Sequence, residues 1–257
     1  MIIVRVPLRI SLGGGGTDLP GWYLDHGGFL ISGSINKYIY LSGSTRAFDN
    51  KYWLSYSNVE ICNSTDEIKH DIFANVLKKY NINGGIEIHS ISEVPGGSGL
   101  GSSGSFTVGL IKLLNIMFKK EMTKKEIAEE ASHIEIVELK SFCGKQDQYI
   151  ASYGGIISMQ IDKNGKVKVN DLDLDQTTLI SLNNNLLIYH TGFSRDAKII
   201  LKEQNKKIKT KNSIPYTGMI RIQEIGCEAH KYLLLGDLNS FGQSLHEHWE
   251  IKKTISN

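Results

Sequence analysis

Over the first 60 residues, apolar and polar positions alternate. "IIVRVPLRI" and "KYIYLSGSTRA" are rich in β-branched and aromatic residues and broken by Gly, Ser and Asn. "KYWLSYSN" alternates again, so this region reads mainly as strands. The spacing turns helical over His70–Tyr80 ("HDIFANVLKKY") and stops at Asn83–Gly85. "IEIHSIS" then reads as a strand running into a glycine loop, "EVPGGSGLGSSGSF" (Glu93–Phe106). Beyond the loop, Phe106, Leu110, Leu113, Leu114 and Met117 recur at intervals of three and four, which predicts a buried helix. Thr123 with Glu126 forms a capping-box pattern for a second helix reaching about Lys140. "GGIISMQID" and "KVKVNDL" read as a hairpin and "NLLIYHTG" as a buried strand. Helices are expected over about Asp196–Lys206 and Tyr216–Leu235, then a polar helical end. Strands and helices mix without regular βαβ alternation, so the expected class is α+β. A modest break over Asp175–Asn185 suggests two lobes, 1–180 and 181–257.

Composition narrows the function. Apolar residues make up 40% of the 257 and charged residues 22%, enough for a globular core. The net charge of +2 argues against nucleic acid or a membrane surface as partner. The lysines gathered in Lys202–Lys211 read as a solvated helix end or loop. Cys62, Cys143 and Cys227 are widely spaced with no CxxC pair, so neither a disulfide framework nor a zinc site is indicated, and a reducing cytoplasm fits. His246 and His248, two apart on a helix, would point to different faces, which argues against a metal pair. The N-terminus carries Arg5 and Arg9 and reads as no signal peptide, and no run of about 18 apolar residues follows.

The glycine loop has three ligand-binding readings. As a Walker A loop it has Gly96 and Gly101 at the right spacing, but Ser102 stands where the lysine is required. As a dinucleotide fingerprint it matches over Gly99–Gly104, but the chain is still leaving a helix where a strand ending in an acid should follow. As another kind of phosphate cradle, the loop would aim backbone N–H groups and a helix N-terminus at an anion. Gly97, Gly99 and Gly101 would permit close approach and positive φ, and the Ser103 hydroxyl would be free to ligate Mg²⁺. A tight Gly/Ser turn without a ligand is the bland alternative.

"PGGSGLGSSGS" resembles the second motif, P-x-G-x-G-L-G-S-S, of the GHMP superfamily of small-molecule kinases. "VPLRISLGGGGTDLPGW" resembles that family's N-terminal sugar-kinase motif, and "CGKQDQYIASYGG" the segment carrying its catalytic aspartate. "DHGGFLISGSINKYIY" and "GKQDQYIASYGGI" look most similar to the branch of fucose-type and D-glycero-D-manno-heptose 7-phosphate kinases. The resemblance implies a two-lobed α+β fold, with a ribosomal-protein-S5-like N-terminal lobe and a ferredoxin-like C-terminal lobe. It implies ATP and Mg²⁺ as cofactors and a small-molecule sugar phosphate as partner.

By resemblance, Asp147 is the catalytic aspartate, with Arg9 near the transferred phosphoryl and Lys145 two residues before the aspartate. Pro95, Gly96, Gly97, Ser98, Gly99, Leu100, Gly101, Ser102 and Ser103 would hold the nucleotide. Ser103 and Glu135 would hold the metal, with Glu138, one turn on, as competitor. Thr17 and Asp18 would meet the sugar. Gly15 and Gly16 stand where galactokinase has Glu and His, which argues against galactose and makes room for a bulkier or phosphorylated sugar. Arg195 and Lys198 would take the substrate's own phosphate, and His26 has pocket and packing readings. The family's third, C-terminal glycine motif is not found. A truncated second lobe is therefore expected, with an exposed apolar face or an unpaired strand edge. The leading expectation is a cytoplasmic sugar kinase acting on the anomeric hydroxyl of heptose 7-phosphate, for surface polysaccharide. Another sugar 1-kinase, a binding-only fragment and a nicotinamide oxidoreductase are the alternatives, and a homodimer is left open.

Overall fold

The computed structural model describes residues 1–189, 191, 192, 201, 207, 210 and 213–255. The chain forms two units, each gathered from three stretches. Unit 1 comprises Met1–Leu8, Ile35–Ser141 and Asp147–Tyr153; unit 2 comprises Arg9–Ser34, Phe142–Gln146 and Gly154–Asn257. Strands β1 (Ile2–Gly13) and β2 (Gly28–Thr45) pair with each other, and each contributes residues to both units.

In unit 1 the end of β2 pairs antiparallel with β5 (Ile86–Ser92). That strand lies parallel to β3 (Tyr52–Ser55), which forms a hairpin with β4 (Val59–Cys62). Alternation decides the buried face: Val4, Val6 and Leu8 on β1, Ile39 and Leu41 on β2, and Ile86 and Ile88 on β5 are buried in one cluster. Helix α2 (Asp71–Lys79) adds Phe73, Val76 and Leu77 to that cluster, and His70 Nδ1 caps it by accepting from Phe73 N at 3.4 Å. Helix α3 (Ser102–Met117) is apolar nearly all round, as a core helix must be. It lies close to β2: a Cβ built at Gly109 would stand 2.5 Å from Leu41 Cδ1, and one at Gly43 would stand 3.0 Å from Leu113 Cδ2. Helix α4 (Lys124–His133) starts in the expected box, with Thr123 Oγ1 accepting from Glu126 N and Glu126 accepting from Thr123 N. Helix α5 (Gln146–Tyr153) has all but its first residue in unit 1.

In unit 2 the start of β2 pairs antiparallel with β6 (Ile156–Ile161), which forms the expected hairpin with β7 (Val167–Asp171). Leu12, Ile31, Leu172, Leu182, Ala229, Leu233 and Phe241 make its main core. A short helix α1 (Pro20–His26) precedes β2. Helices α7 (Ile214–Leu235) and α8 (Leu238–Ile255) are joined at Gly236, whose left-handed φ of 70° ends α7. Arg221 ties the pair through Glu228 and Glu247.

Two expectations change. Residues read as a break form helix α6 (Gln176–Asn185), because the Asp175 carboxylate accepts from Thr178 N at 2.9 Å and caps it. The buried strand expected in "NLLIYHTG" is not formed at Leu186–Tyr189, which has no regular structure; Leu187, Ile188 and Tyr189 are 73%, 56% and 79% exposed. No neighbouring strand among the described residues pairs with these residues, and a short apolar run without a ladder partner has nothing to hold it extended. The expected helix over Asp196–Lys206 lies almost wholly outside the described residues. Among the described residues no helix is long and apolar enough to cross a membrane.

Candidate functional site

In unit 1 the glycine loop ends at the start of α3. Gly97, Gly99 and Gly101 have φ of 73°, 77° and 76°, the left-handed conformation that glycine adopts without strain. Gly101 is the N-cap residue of α3, where no side chain caps the helix, and the first turn carries no acid. The first N–H groups of a helix have no partners within it, and the helix dipole favours an anion there. The Ser98 hydroxyl is buried without a hydrogen-bond partner, an orphaned donor inside the loop. The chain passes from α3 directly into α4 with no strand between them. The GLGSSG match therefore lacks the βαβ unit and acidic strand end of a dinucleotide site, and that reading is set aside.

Ser103 and Glu135 meet: Ser103 Oγ donates to Glu135 Oε2 at 2.7 Å, and Gln148 Nε2 donates to Oε1 at 2.9 Å. Glu135 is only 3% exposed. Burial pushes its carboxyl pKa up; the hydrogen bonds from Ser103 and Gln148 oppose the shift, and the charge of Asp147 adds to it. Glu135 lies in a wide π-turn (Ile134–Glu138) that ends α4. The expectation that Glu138 shares its face fails in that turn, because the extra residue rotates Glu138 away. Glu138 binds Lys79 at 2.9 Å and lies 3.3 Å from His133 Nε2. Asp147 sits in the first turn of α5, against α3. A Cβ built at Gly104 would lie 2.6 Å from Asp147 Cβ and 3.2 Å from Gln148 N.

A buried carboxylate and a serine hydroxyl are hard oxygen donors. That set fits Mg²⁺, with waters and phosphate oxygens left to complete six ligands. The uncapped helix start and the orphaned Ser98 hydroxyl fit a nucleotide's phosphates.

In unit 2, Arg9 lies on β1. The "GGGGTD" turn follows, with Gly14 and Gly16 at φ of 73° and 102°. Asp18 is buried; its Oδ1 accepts from Gly16 N at 3.1 Å and its Oδ2 from Gln146 N at 2.9 Å. A Cβ on Gly144 would overlap the Asp18 carboxylate, so this contact requires glycine. At Gly15 a Cβ would stand 2.6 Å from Ser11 Oγ. Lys252 on α8 feels the Asp18 charge, while burial brings its pKa down to about 8.

Three expected ligand contacts change character here. Thr17 is fully buried, with its hydroxyl 2.8 Å from Gly14 O and 2.9 Å from Phe29 O, and it accepts from Phe29 N at 3.2 Å. Backbone groups thus occupy a hydroxyl expected to meet sugar, and Thr17 braces the turn. His26 stacks on Trp22 at 4.2 Å and meets the Tyr216 edge at 5.4 Å, the contacts of its packing reading. Lys145 donates to Gly165 O in the β6–β7 turn and stands 5.3 Å from the Tyr23 ring. Arg195 and Lys198 lie outside the described residues. The sequence reading missed Gln148, whose signal was a second amide flanking the aspartate in "GKQDQ", and Lys252, read only as part of a polar end.

Residues 67–155 match the family described as the GHMP kinases N terminal domain. Across 99% of its length the chain is 29% identical to a D-glycero-alpha-D-manno-heptose 7-phosphate kinase of Campylobacter jejuni, spanning 78% of that protein. Among solved structures, a D-glycero-D-manno-heptose 1-phosphate kinase from Bacteroides thetaiotaomicron has the same fold, with a TM-score of 0.82 at 23% identity over 98% of this chain and 79% of that one. A putative sugar kinase from Campylobacter jejuni aligns with a TM-score of 0.67 at 26% identity, over 98% and 75% of the two chains.

Proposed function

We propose that the chain, whose residues 67–155 match the GHMP kinases N-terminal domain, is a phosphotransferase acting on a sugar hydroxyl and transfers the γ-phosphate of ATP to the anomeric hydroxyl of D-glycero-D-manno-heptose 7-phosphate. The observation that carries this reading is the junction of Ser103, Glu135 and Gln148 beside Asp147, at the uncapped start of α3. The loop Pro95–Ser103 and the α3 dipole hold the nucleotide phosphates. Ser103 and Glu135 are the protein ligands for Mg²⁺, which supplies charge neutralisation on the phosphates when bound. Asp147 accepts and orients the proton of the attacking hydroxyl, and Arg9 offsets charge on the phosphoryl in flight. Asp18 accepts hydrogen bonds from the sugar, with Gly15 and Gly16 leaving room for it, while Arg195 and Lys198 serve a substrate that carries its own phosphate. Substrate positioning and electrostatic complementarity supply the catalysis. The product is a bisphosphate suited to nucleotide activation in surface polysaccharide synthesis, a task for the cytoplasm.

The test is ATP consumption against a panel of sugars and sugar phosphates, run with wild type and Asp147→Asn. Heptose 7-phosphate should give the highest kcat/KM, and the Asn variant should lose kcat by at least about 10²-fold while binding ATP as before. Turnover by the Asn variant near wild type would remove Asp147 from the base role. Preference for a sugar without a phosphate would overturn the substrate assignment.

A further inference from the structure

Lys112 stands on α3 among Leu110, Ile111, Leu113 and Leu114, all fully buried, and is itself half-buried. Its ammonium donates to Ala151 O and Ser152 O, each at 3.3 Å. These are among the last four carbonyls of α5, which no residue of that helix satisfies. Two further ties hold the same end: Lys124 Nζ donates to Tyr153 O at 3.1 Å, and Ser152 Oγ donates to Lys124 O at 2.7 Å. Burial, helped by the Lys124 charge, lowers the Lys112 pKa to about 8, so the cation persists at neutral pH.

The opposite end of α5 is held at two points as well, by the close approach of Asp147 to Gly104 and by the Gln148 bond to Glu135. Helix α3 therefore touches α5 at Gly104 and again at Lys112, eight residues on, about 12 Å along its axis. One contact would fix a position; two fix the axial shift and roll of α5 against the helix that carries Ser103.

We propose that Lys112 is a positioning residue for Asp147: by capping the C-terminal carbonyls of α5 it sets the placement of the aspartate at the other end of that helix. This inference rests on the reading of Asp147 as the group that takes the hydroxyl proton. It assigns to a lysine remote from the glycine loop a part in turnover that no contact with substrate requires.

The variants are Lys112→Met, which keeps the length and removes the charge and donors, and Lys112→Arg, whose fork still reaches two carbonyls. With Met, kcat should fall about tenfold or more while the KM for ATP stays within about twofold, because geometry and not binding is lost. Arg should restore kcat to within about threefold of wild type. Amide hydrogen exchange should quicken at 149–153 in the Met variant and stay unchanged in α3, a pattern general destabilisation would not give. A Met variant with kcat within twofold of wild type, or with lowered kcat but unaltered exchange in α5, overturns the proposal. If Lys112→Met does not fold, Ser152→Ala removes a separate tie to the same end and is judged by the same two readouts. The exchange arm needs no turnover, so failure of the Asp147 reading in the Asp147→Asn variant is distinguished from failure of the clamp.

Discussion

Replacing Gly104 by Ala puts one methyl group between α3 and α5. Helix propensity alone favours the change by about 1 kcal/mol, since glycine is a poor residue inside a helix. The local geometry opposes it. The new Cβ would stand 2.6 Å from Asp147 Cβ, 3.1 Å from Asp147 C and 3.2 Å from Gln148 N, where 3.4 Å is the lower end of ordinary contact. Two of those atoms are backbone, so no rotamer relieves the overlap and α5 must retreat by about 0.8 Å, the difference between 3.4 and 2.6 Å. Overpacking of this kind costs about 1–3 kcal/mol, which exceeds the propensity gain, so the net change is a loss of up to about 2 kcal/mol. The activity loss should be larger in proportion, because misplacing a reacting group by about 1 Å costs on the order of 10²-fold. Gly109→Ala is the control: its Cβ would also be crowded, at 2.5 Å, but against the movable tip of Leu41. Urea unfolding and steady-state kinetics on both variants decide the matter. The reasoning fails if Gly104→Ala keeps kcat within twofold of wild type, or if the two variants lose kcat equally.

Burial raises the Glu135 pKa above the ordinary carboxylate value, so ionising it in the fold becomes a growing cost as pH rises from there. Mg²⁺ should offset that cost; the Tm increase it produces should be larger at pH 8 than at pH 5 and absent in Glu135→Gln, and equal increments at both pH values would count against the metal site. Ser103→Ala should weaken the apparent Mg²⁺ affinity seen in the same melting assay while leaving Asp18 and its turn intact. Gly144→Ala should displace the Asp18 carboxylate and raise the sugar KM more than the ATP KM, measured by varying each substrate in turn. Thr17→Ala should cost about 1–3 kcal/mol in chemical denaturation, because Phe29 N and the turn carbonyls lose their partner.

Elements set by local chemistry were legible in the sequence. The Thr123–Glu126 box, the His70–Tyr80 spacing and the loop's glycines each act within a few residues, and each led to the element observed. Side-chain direction was not legible. Thr17 and Asp18 are neighbours in one motif, yet Thr17 turns to backbone at Gly14 and at Phe29, twelve positions on, and Asp18 to the Gly144 segment, with a partner 128 positions away at Gln146. The expectation that Glu135 and Glu138 share a face assumed a regular helix, and the π-turn removes that register. Leu186–Tyr189 had the composition of a strand, but a strand depends on a partner that periodicity does not report. Lys112 carried a readable sign, a lysine inside an otherwise apolar helical run; its partners on α5 were not readable from α3 alone.

The interleaving of the two units has a bearing on synthesis. Unit 1 needs Met1–Leu8 and Asp147–Tyr153 together, so no product released before residue 153 contains all of it. Unit 2 begins earlier in the chain than most of unit 1, yet its opening stretch, Arg9–Ser34, must wait from residue 34 until residue 142 for the next piece of its own core. During that interval apolar residues such as Leu12, Trp22 and Ile31 have emerged from the ribosome without the residues that later cover them. A nascent chain stalled in this window exposes the apolar residues of Arg9–Ser34, so that segment of unit 2 is the one that most needs chaperone protection while translation proceeds.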